Sequence, residues 1–345
     1  MPGEASRVLL LQADQSQLRP SGNFACVVYT DSLQENLDTT DFGSGPANPT
    51  SWKSAGAVNQ EGSCRQRAAD LGGRRRCDLP SPAVAVDLGI YAAYVDTIIA
   101  DLAAQHSELS ELVIPLGQEQ WTAPTRCSGW NVSDVVLHLA QTDEMALASV
   151  MGRFSEPGTP WAEIGHLARS IDDGASLMVA QERGLPSSGL VERWRAASSQ
   201  LVSVFDGMDL SARVSWVAGV LSARTLATTR LAEAWIHTGD VAGALGRTPS
   251  ATDRLRPIAR LAWRTLPYAF KLAGRAMDGP VAFRLRSPSG TPWDFLPEKP
   301  PSTTITGPAL ELCEVAARRV DPAATTLEGT GPDAEAVLEL VRTYA

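Results

Sequence analysis

Glu233-Ala-Trp-Ile-His237-Thr-Gly-Asp240 sits inside a run, from about Ser222 to Leu245, whose apolar residues recur three and four apart and which stops at Gly246. That period is helical, and a glycine is a common helix stop. Leu231, Ala234, Trp235, Val241, Ala242 and Leu245 make its apolar seam. Glu233 and His237 stand four residues apart and so stack on one face, with Asp240 one turn later. At about 100° per residue, this polar face lies roughly 130° from the seam. Either it meets solvent or a bundle closes over a second side of the helix. A carboxylate and an imidazole so placed can grip one divalent metal from one rigid element.

A second helix is predicted upstream, opening at Asn131 and running to about Met151. Asn131 is a good N-cap, and Asp134 suits the positive end of the helix. Asn131-Val-Ser133 also matches a glycosylation acceptor, a coincidence at a helix start. The seam here is Val132, Val135, Val136, Leu139 and Leu147, and His138 points roughly 100° away from it. Two histidines and one carboxylate are the usual protein complement of a catalytic zinc site, with a fourth position left open. Bundles build metal sites from side chains on facing helices. His138, Glu233 and His237 are therefore the candidate ligands, with Asp240 and Asp134 as partners that would orient the imidazoles. His106 falls in a polar stretch and reads as exposed, while His166 is a candidate to line a pocket. Cys127 precedes a helix start, where a thiolate is favoured, although a small half-buried side chain explains it as well.

The rest of the chain divides into three regions. Residues 1–83 keep no hydrophobic period and include the turn-rich stretch 39–50 and the basic run Arg74 to Arg76. Such a segment buries too little apolar surface to offset its ordering entropy, so it reads as a disordered extension. From about residue 84 to 249 the pattern is helical, with further helices over about 91–112, 160–182 and 189–205. A helix from about Ser250, interrupted or kinked at Pro257 and Pro267, opens the third region, 250–345. There Val281 to Arg286 and Thr291 to Phe295 flank Ser287-Pro-Ser-Gly290 and read as a β-hairpin. A strand over 302–306, a helix over 308–319, a strand over 325–328 and a final helix over 332–344 complete a small α+β unit. The predicted fold is mainly α: a helical bundle followed by that unit.

Composition narrows the function. A chain of 345 residues, 44% hydrophobic, has room for a substantial core, and its net charge of −9 disfavours a nucleic-acid partner. No apolar run approaches twenty residues, so no membrane span is expected, and the short apolar stretch at Val8 to Leu11 lacks the features of a signal peptide. Five scattered cysteines without C-x-x-C spacing argue against a disulfide framework. A cytoplasmic location is expected.

Two motifs carry a family likeness: Trp121-x-x-Pro-Thr-x-Cys-x-Gly-Trp130-x-Val-x-Asp-Val-Val-x-His138-Leu, and Glu233-x-Trp-x-His237-x-x-Asp240-Val-Ala-x-Ala-Leu-Gly246. Together they resemble the mycothiol-dependent maleylpyruvate isomerase family, one of the DinB-like metal-binding four-helix bundles. The resemblance spans about residues 86–345, because members often carry a small sterol-carrier-like α+β domain after the bundle. It implies a triad of one histidine on the second helix and a glutamate and a histidine four apart on a later one, which fall on His138, Glu233 and His237. It also implies Zn2+ as the metal, mycothiol as a thiol cosubstrate, and an unsaturated diacid whose double bond rotates after thiolate attack. An arginine of the second domain is implicated as well, with Arg284 and Arg286 the nearest candidates. The partners would be a small-molecule thiol and an electrophilic or unsaturated acid.

Chemistry independent of the family gives a consistent picture. Two neutral imidazoles and one carboxylate leave a divalent site at net positive one, suited to a thiolate or a carboxylate. Isomerisation and transfer of the thiol to an electrophile both remain open. A metal-dependent hydrolase using bound water and a non-catalytic metal- or lipid-binding protein are the alternatives.

Overall fold

The protein is described here from a computed structural model, in which residues 97–343 are described except residue 218. The expected extension 1–83, with Cys26, Cys64, Cys77 and the basic run, lies outside the described residues, as does the start of the first helix.

Four long helices form the bundle: α1 (Thr97–Val113), α3 (Val132–Val150), α6 (Ser187–Asp206) and α7 (Ala223–Ala244), with the single turn α2 (Gln118–Trp121) before α3. Helix α1 packs on α6 and α7, and α3 on α6 and α7. Local chemistry sets the ends of the two helices that matter most. Asn131 accepts from the Asp134 amide at 3.0 Å while the Asp134 carboxylate accepts from the Asn131 amide at 3.0 Å, a reciprocal cap on α3. Ser222 accepts from the Thr225 amide at the start of α7, and Gly246, at φ 66°, lets the chain leave its end.

The expected helix over 160–182 is two, α4 (Pro160–Ile164) and α5 (Ile171–Glu182). Ser170 caps α5 afresh by accepting from the Asp173 amide, which ends any continuous helix there. Between α6 and α7 the structure adds an unforeseen antiparallel hairpin, β1 (Arg213–Trp216) and β2 (Gly219–Ser222). Pro257 lies in the first turn of α8 (Leu255–Arg264), and Pro267 in that of α9 (Leu266–Leu272). The expected interruption at Pro267 is the break between α8 and α9, whereas Pro257 sits in a first turn, which tolerates proline, and interrupts nothing.

The C-terminal unit has a four-stranded sheet in the order β4-β3-β5-β6. Strands β3 (Val281–Arg286) and β4 (Pro292–Phe295) make the expected hairpin, with Gly290 at φ 89° in its turn. Strand β5 (Thr303–Pro308) runs parallel to β3, and β6 (Glu328–Thr330) antiparallel to β5. Helices α10 (Ala309–Ala316) and α11 (Ala334–Leu340) pack against it. The expected boundary near 249 lies in the connection between α7 and α8. Even so, one apolar cluster runs from Leu102, Leu226 and Leu231 of the bundle through Leu255 and Ile258 to Phe283, Ile305 and Leu312. Helix α8 bridges the two parts, touching both α7 and α10.

Candidate metal centre

The polar face of α7 meets no solvent. Glu233, His237 and Asp240 are all buried, and so is His138 on α3. The bundle closes over this second side, and the candidate ligands lie inside it. His138 Nε2 is 3.2 Å from Glu233 Oε2, and His237 Nε2 is 3.6 Å from the same oxygen. One donor atom from each residue lies within 4.8 Å of the others. Tetrahedral bonds of about 2.0–2.2 Å place neighbouring donors about 3.4 Å apart, so this spacing suits one small divalent ion. Trp130 packs against the His138 ring at 5.1 Å between centroids and covers it.

Burial and hydrogen bonding act against each other at this point. Burial alone would raise the Glu233 pKa, but hydrogen bonds with His138 and His237 outweigh it and hold the carboxyl well below its usual range. For His237, burial opposes protonation, yet hydrogen bonds with Asp240, Cys127 and Glu233 raise its pKa well above the ordinary imidazole value. Burial lowers the pKa of His138, partly offset by Glu233.

Asp240 stands beside His237. Its Oδ2 lies 3.0 Å from His237 Nδ1, so a proton on Nδ1 leaves the Nε2 lone pair facing Glu233. Asp134 does not take that place: its carboxylate is spent on the cap of α3 and accepts from Arg183 Nε at 2.9 Å. It stands one turn from His138, so it stabilises the helix end without touching an imidazole. His166 is exposed. His106, expected to be exposed, is buried edge-on against Trp194, and burial lowers its pKa.

Arg284 and Arg286 also fall away from the site. Both alternate outward from β3 and are exposed, while their neighbours Phe283 and Leu285 fill the core. The arginine of the C-terminal unit that reaches the site is Arg319. Its Nε donates to Asp240 Oδ1 at 2.7 Å and its Nη2 to Oδ2 at 2.6 Å. The end of α10 aims it there. Arg318 adopts φ 59°, its amide bonds to Val315 O and the Arg319 amide to Glu314 O. This closure normally uses glycine at the left-handed position. No periodicity in the sequence marks Arg319, since its place depends on that reversal.

Cys127 Sγ lies 3.3 Å from Asp240 Oδ2 and 3.9 Å from His237 Nδ1. Cys127, His237 and Asp240 form a second group of potential donors. Its carboxylate is already committed to Arg319 and to His237, so the group reads as a hydrogen-bonded support for the first.

A further buried set adjoins the ligands. Arg230, one turn before Glu233, donates from Nε to Asp143 Oδ1 at 3.0 Å and from Nη2 to Thr142 Oγ1 at 2.9 Å. Its Nη1 is 4.0 Å from Glu233 Oε2. The one signal for it in the sequence was a charged residue three before Glu233, on the same helical face.

The family described as Mycothiol maleylpyruvate isomerase N-terminal domain matches residues 102–242. An uncharacterised protein of Mycobacterium tuberculosis, found in strains H37Rv and CDC 1551, is 31% identical over 248 residues, covering 72% of this chain and 95% of the relative. Crystal structures of the mycothiol-dependent maleylpyruvate isomerase and of a histidine-to-alanine mutant of it are 19% and 18% identical, each with a TM-score of 0.46. They cover 68% and 65% of this chain, and 92% and 89% of their own. The chain belongs to the mycothiol-dependent maleylpyruvate isomerase family.

Proposed function

We propose that this protein is a divalent-metal-dependent enzyme, with zinc the fitting ion, that activates mycothiol for isomerisation of an unsaturated acid or for transfer of the thiol to an electrophile. The observation that carries this reading is the convergence of His138 Nε2, His237 Nε2 and a Glu233 oxygen on one buried point, at separations of 3.2 and 3.6 Å from that oxygen. Family membership supplies the thiol.

In this reading His138, Glu233 and His237 hold the ion. Bound there, it would supply the Lewis acidity that keeps a thiol ionised at neutral pH. Asp240 keeps the His237 proton on Nδ1, so that Nε2 stays a ligand. Arg319 neutralises Asp240 and ties the C-terminal unit to the ligand helix. Trp130 and the apolar walls of the bundle exclude bulk water, which strengthens every charge interaction inside. Three protein ligands leave a coordination position for a substrate group. No helix among the described residues is long and apolar enough to cross a membrane, and we place the enzyme in the cytoplasm with a reduced thiol pool.

The test is metal analysis of the purified chain and of His237→Ala, with unsaturated acids and electrophiles screened with and without mycothiol. About one metal per chain, lost in the folded variant, and turnover that requires the thiol are expected. Thiol-independent hydrolysis would turn the reading toward a hydrolase, and full metal occupancy in the folded variant would overturn the ligand assignment.

A further inference from the structure

A hollow with an apolar lining and an arginine rim lies toward the other end of α7, between α1, α7 and α8. It is lined by Arg224, Thr225 and Thr228 from the first turns of α7 and by Arg260 and Arg264 from α8, over an apolar floor that includes Ile98. Arg224 and Glu233 are nine residues apart, about 13 Å along the helix axis, so this concavity is distinct from the metal centre.

Three guanidiniums gathered in one hollow are unexpected on a chain with a net charge of −9. Arg260 and Arg264 stand four apart on one helical face, so their like charges face the same side of α8. Among the described residues no carboxylate forms a salt bridge with Arg260. The exposed Asp209 acts electrostatically on Arg224.

The donors in the hollow can be counted. The first amides of α7 are committed: Ala223 to Ala212 O, Arg224 to Leu210 O and Thr225 to the Ser222 hydroxyl. The Thr228 hydroxyl donates to Arg224 O. Thr225 Oγ1 shares a hydrogen bond with Ser222 Oγ, in which either can donate. Recognition in the hollow therefore falls to the Arg224 and Arg260 guanidiniums, with the Thr225 hydroxyl beside them and the positive end of α7 behind. Planar forks of N–H donors match oxyanions with several acceptor oxygens.

We propose that this hollow is a binding site for a small tetrahedral oxyanion, a phosphate or sulfate group, free or carried on a small molecule. It stands on the chemistry of the lining and is independent of the reaction assigned to the metal centre.

The test is calorimetric titration of the full chain with inorganic phosphate and with glycerol phosphate. Saturable binding is expected in the wild type and in His237→Ala, which separates this site from any anion binding at the metal centre. In the Arg224→Gln/Arg260→Gln double variant, affinity should fall at least about tenfold, roughly the loss of one charge-assisted hydrogen bond. Arg260→Lys should retain more affinity than Arg260→Gln. Tighter binding of the ester would assign a phosphorylated small molecule, and equal binding the free anion. Circular dichroism checks the fold of each variant. Should the double variant unfold, the single Arg260→Gln decides on the same criterion. Absence of saturable phosphate binding to the wild type, or affinity unchanged in the folded arginine variants, would overturn the proposal.

Discussion

Two buried polar regions lie side by side on the facing surfaces of α3 and α7, and they are built on opposite principles. Around Arg230, Asp143 and Thr142 the opposite charges meet at hydrogen-bond distance and compensate one another. Around Glu233 the two imidazole Nε2 atoms lie 3.2 and 3.6 Å from a single carboxylate oxygen, the set proposed above to hold a cation. The first region is closed by its own ion pair, and the second, in the proposed reading, takes a metal ion as well. Burial alone does not separate a structural network from a ligand site. The proposed distinction is the convergence of three potential donor atoms on one point.

The largest effect that would break this contrast is on stability. Asp143→Ala would leave the buried Arg230 guanidinium without its hydrogen-bonded carboxylate, and should cost about 3–5 kcal/mol. Replacing both, as Arg230→Met with Asp143→Leu, should recover most of that loss, because an apolar pair of similar volume has no charge to desolvate. Chemical denaturation with saturating metal reads both. A melting curve for Asp143→Ala matching the wild type would mean that the ion pair is not the structural element of this interior.

A smaller effect concerns the link between the two parts of the chain. Arg319→Ala should weaken metal affinity or thiol-dependent activity by about 10–100-fold, the usual consequence of losing a partner that orients a ligand. Arg284→Ala, on the outer face of β3, should match the wild type. Equal losses in the two variants would erase the distinction between an arginine that reaches the site and one that does not.

The smallest effect is a pH dependence. Burial lowers the His106 pKa, so below the unfolded value of about 6.5 the unfolded chain binds a proton that the folded chain refuses. The folded state loses stability as pH falls from about 6.5 toward the folded pKa. His106→Gln should flatten that part of the curve, measured as melting temperature between about pH 7 and about pH 5. An unchanged slope would show that His106 titrates freely and that this interior is wetter than its burial suggests.

Periodicity and caps made the helices legible. Ser222, Gly246 and Asn131 stand where the ends of α7 and α3 fall, because capping is a local matter of a few atoms. The spacing of Glu233 and His237, and the family motifs around His138, marked the ligand candidates for the same reason: one helix turn fixes which side chains share a face. The hairpin of β1 and β2 escaped notice, since its strands are four residues each and alternate too briefly to stand out from a loop.

What the sequence determined by itself was therefore local: helical segments, their ends, the late hairpin and the face on which Glu233, His237 and Asp240 stack. The tertiary structure alone decided that this face would be buried, that Asp134 would serve a cap, that Arg319 would reach Asp240 from 79 residues away, and that Arg224, Arg260 and Arg264 would share one hollow. Those outcomes depend on packing between elements distant in the chain and on a left-handed turn at Arg318. No spacing within a single element encodes them.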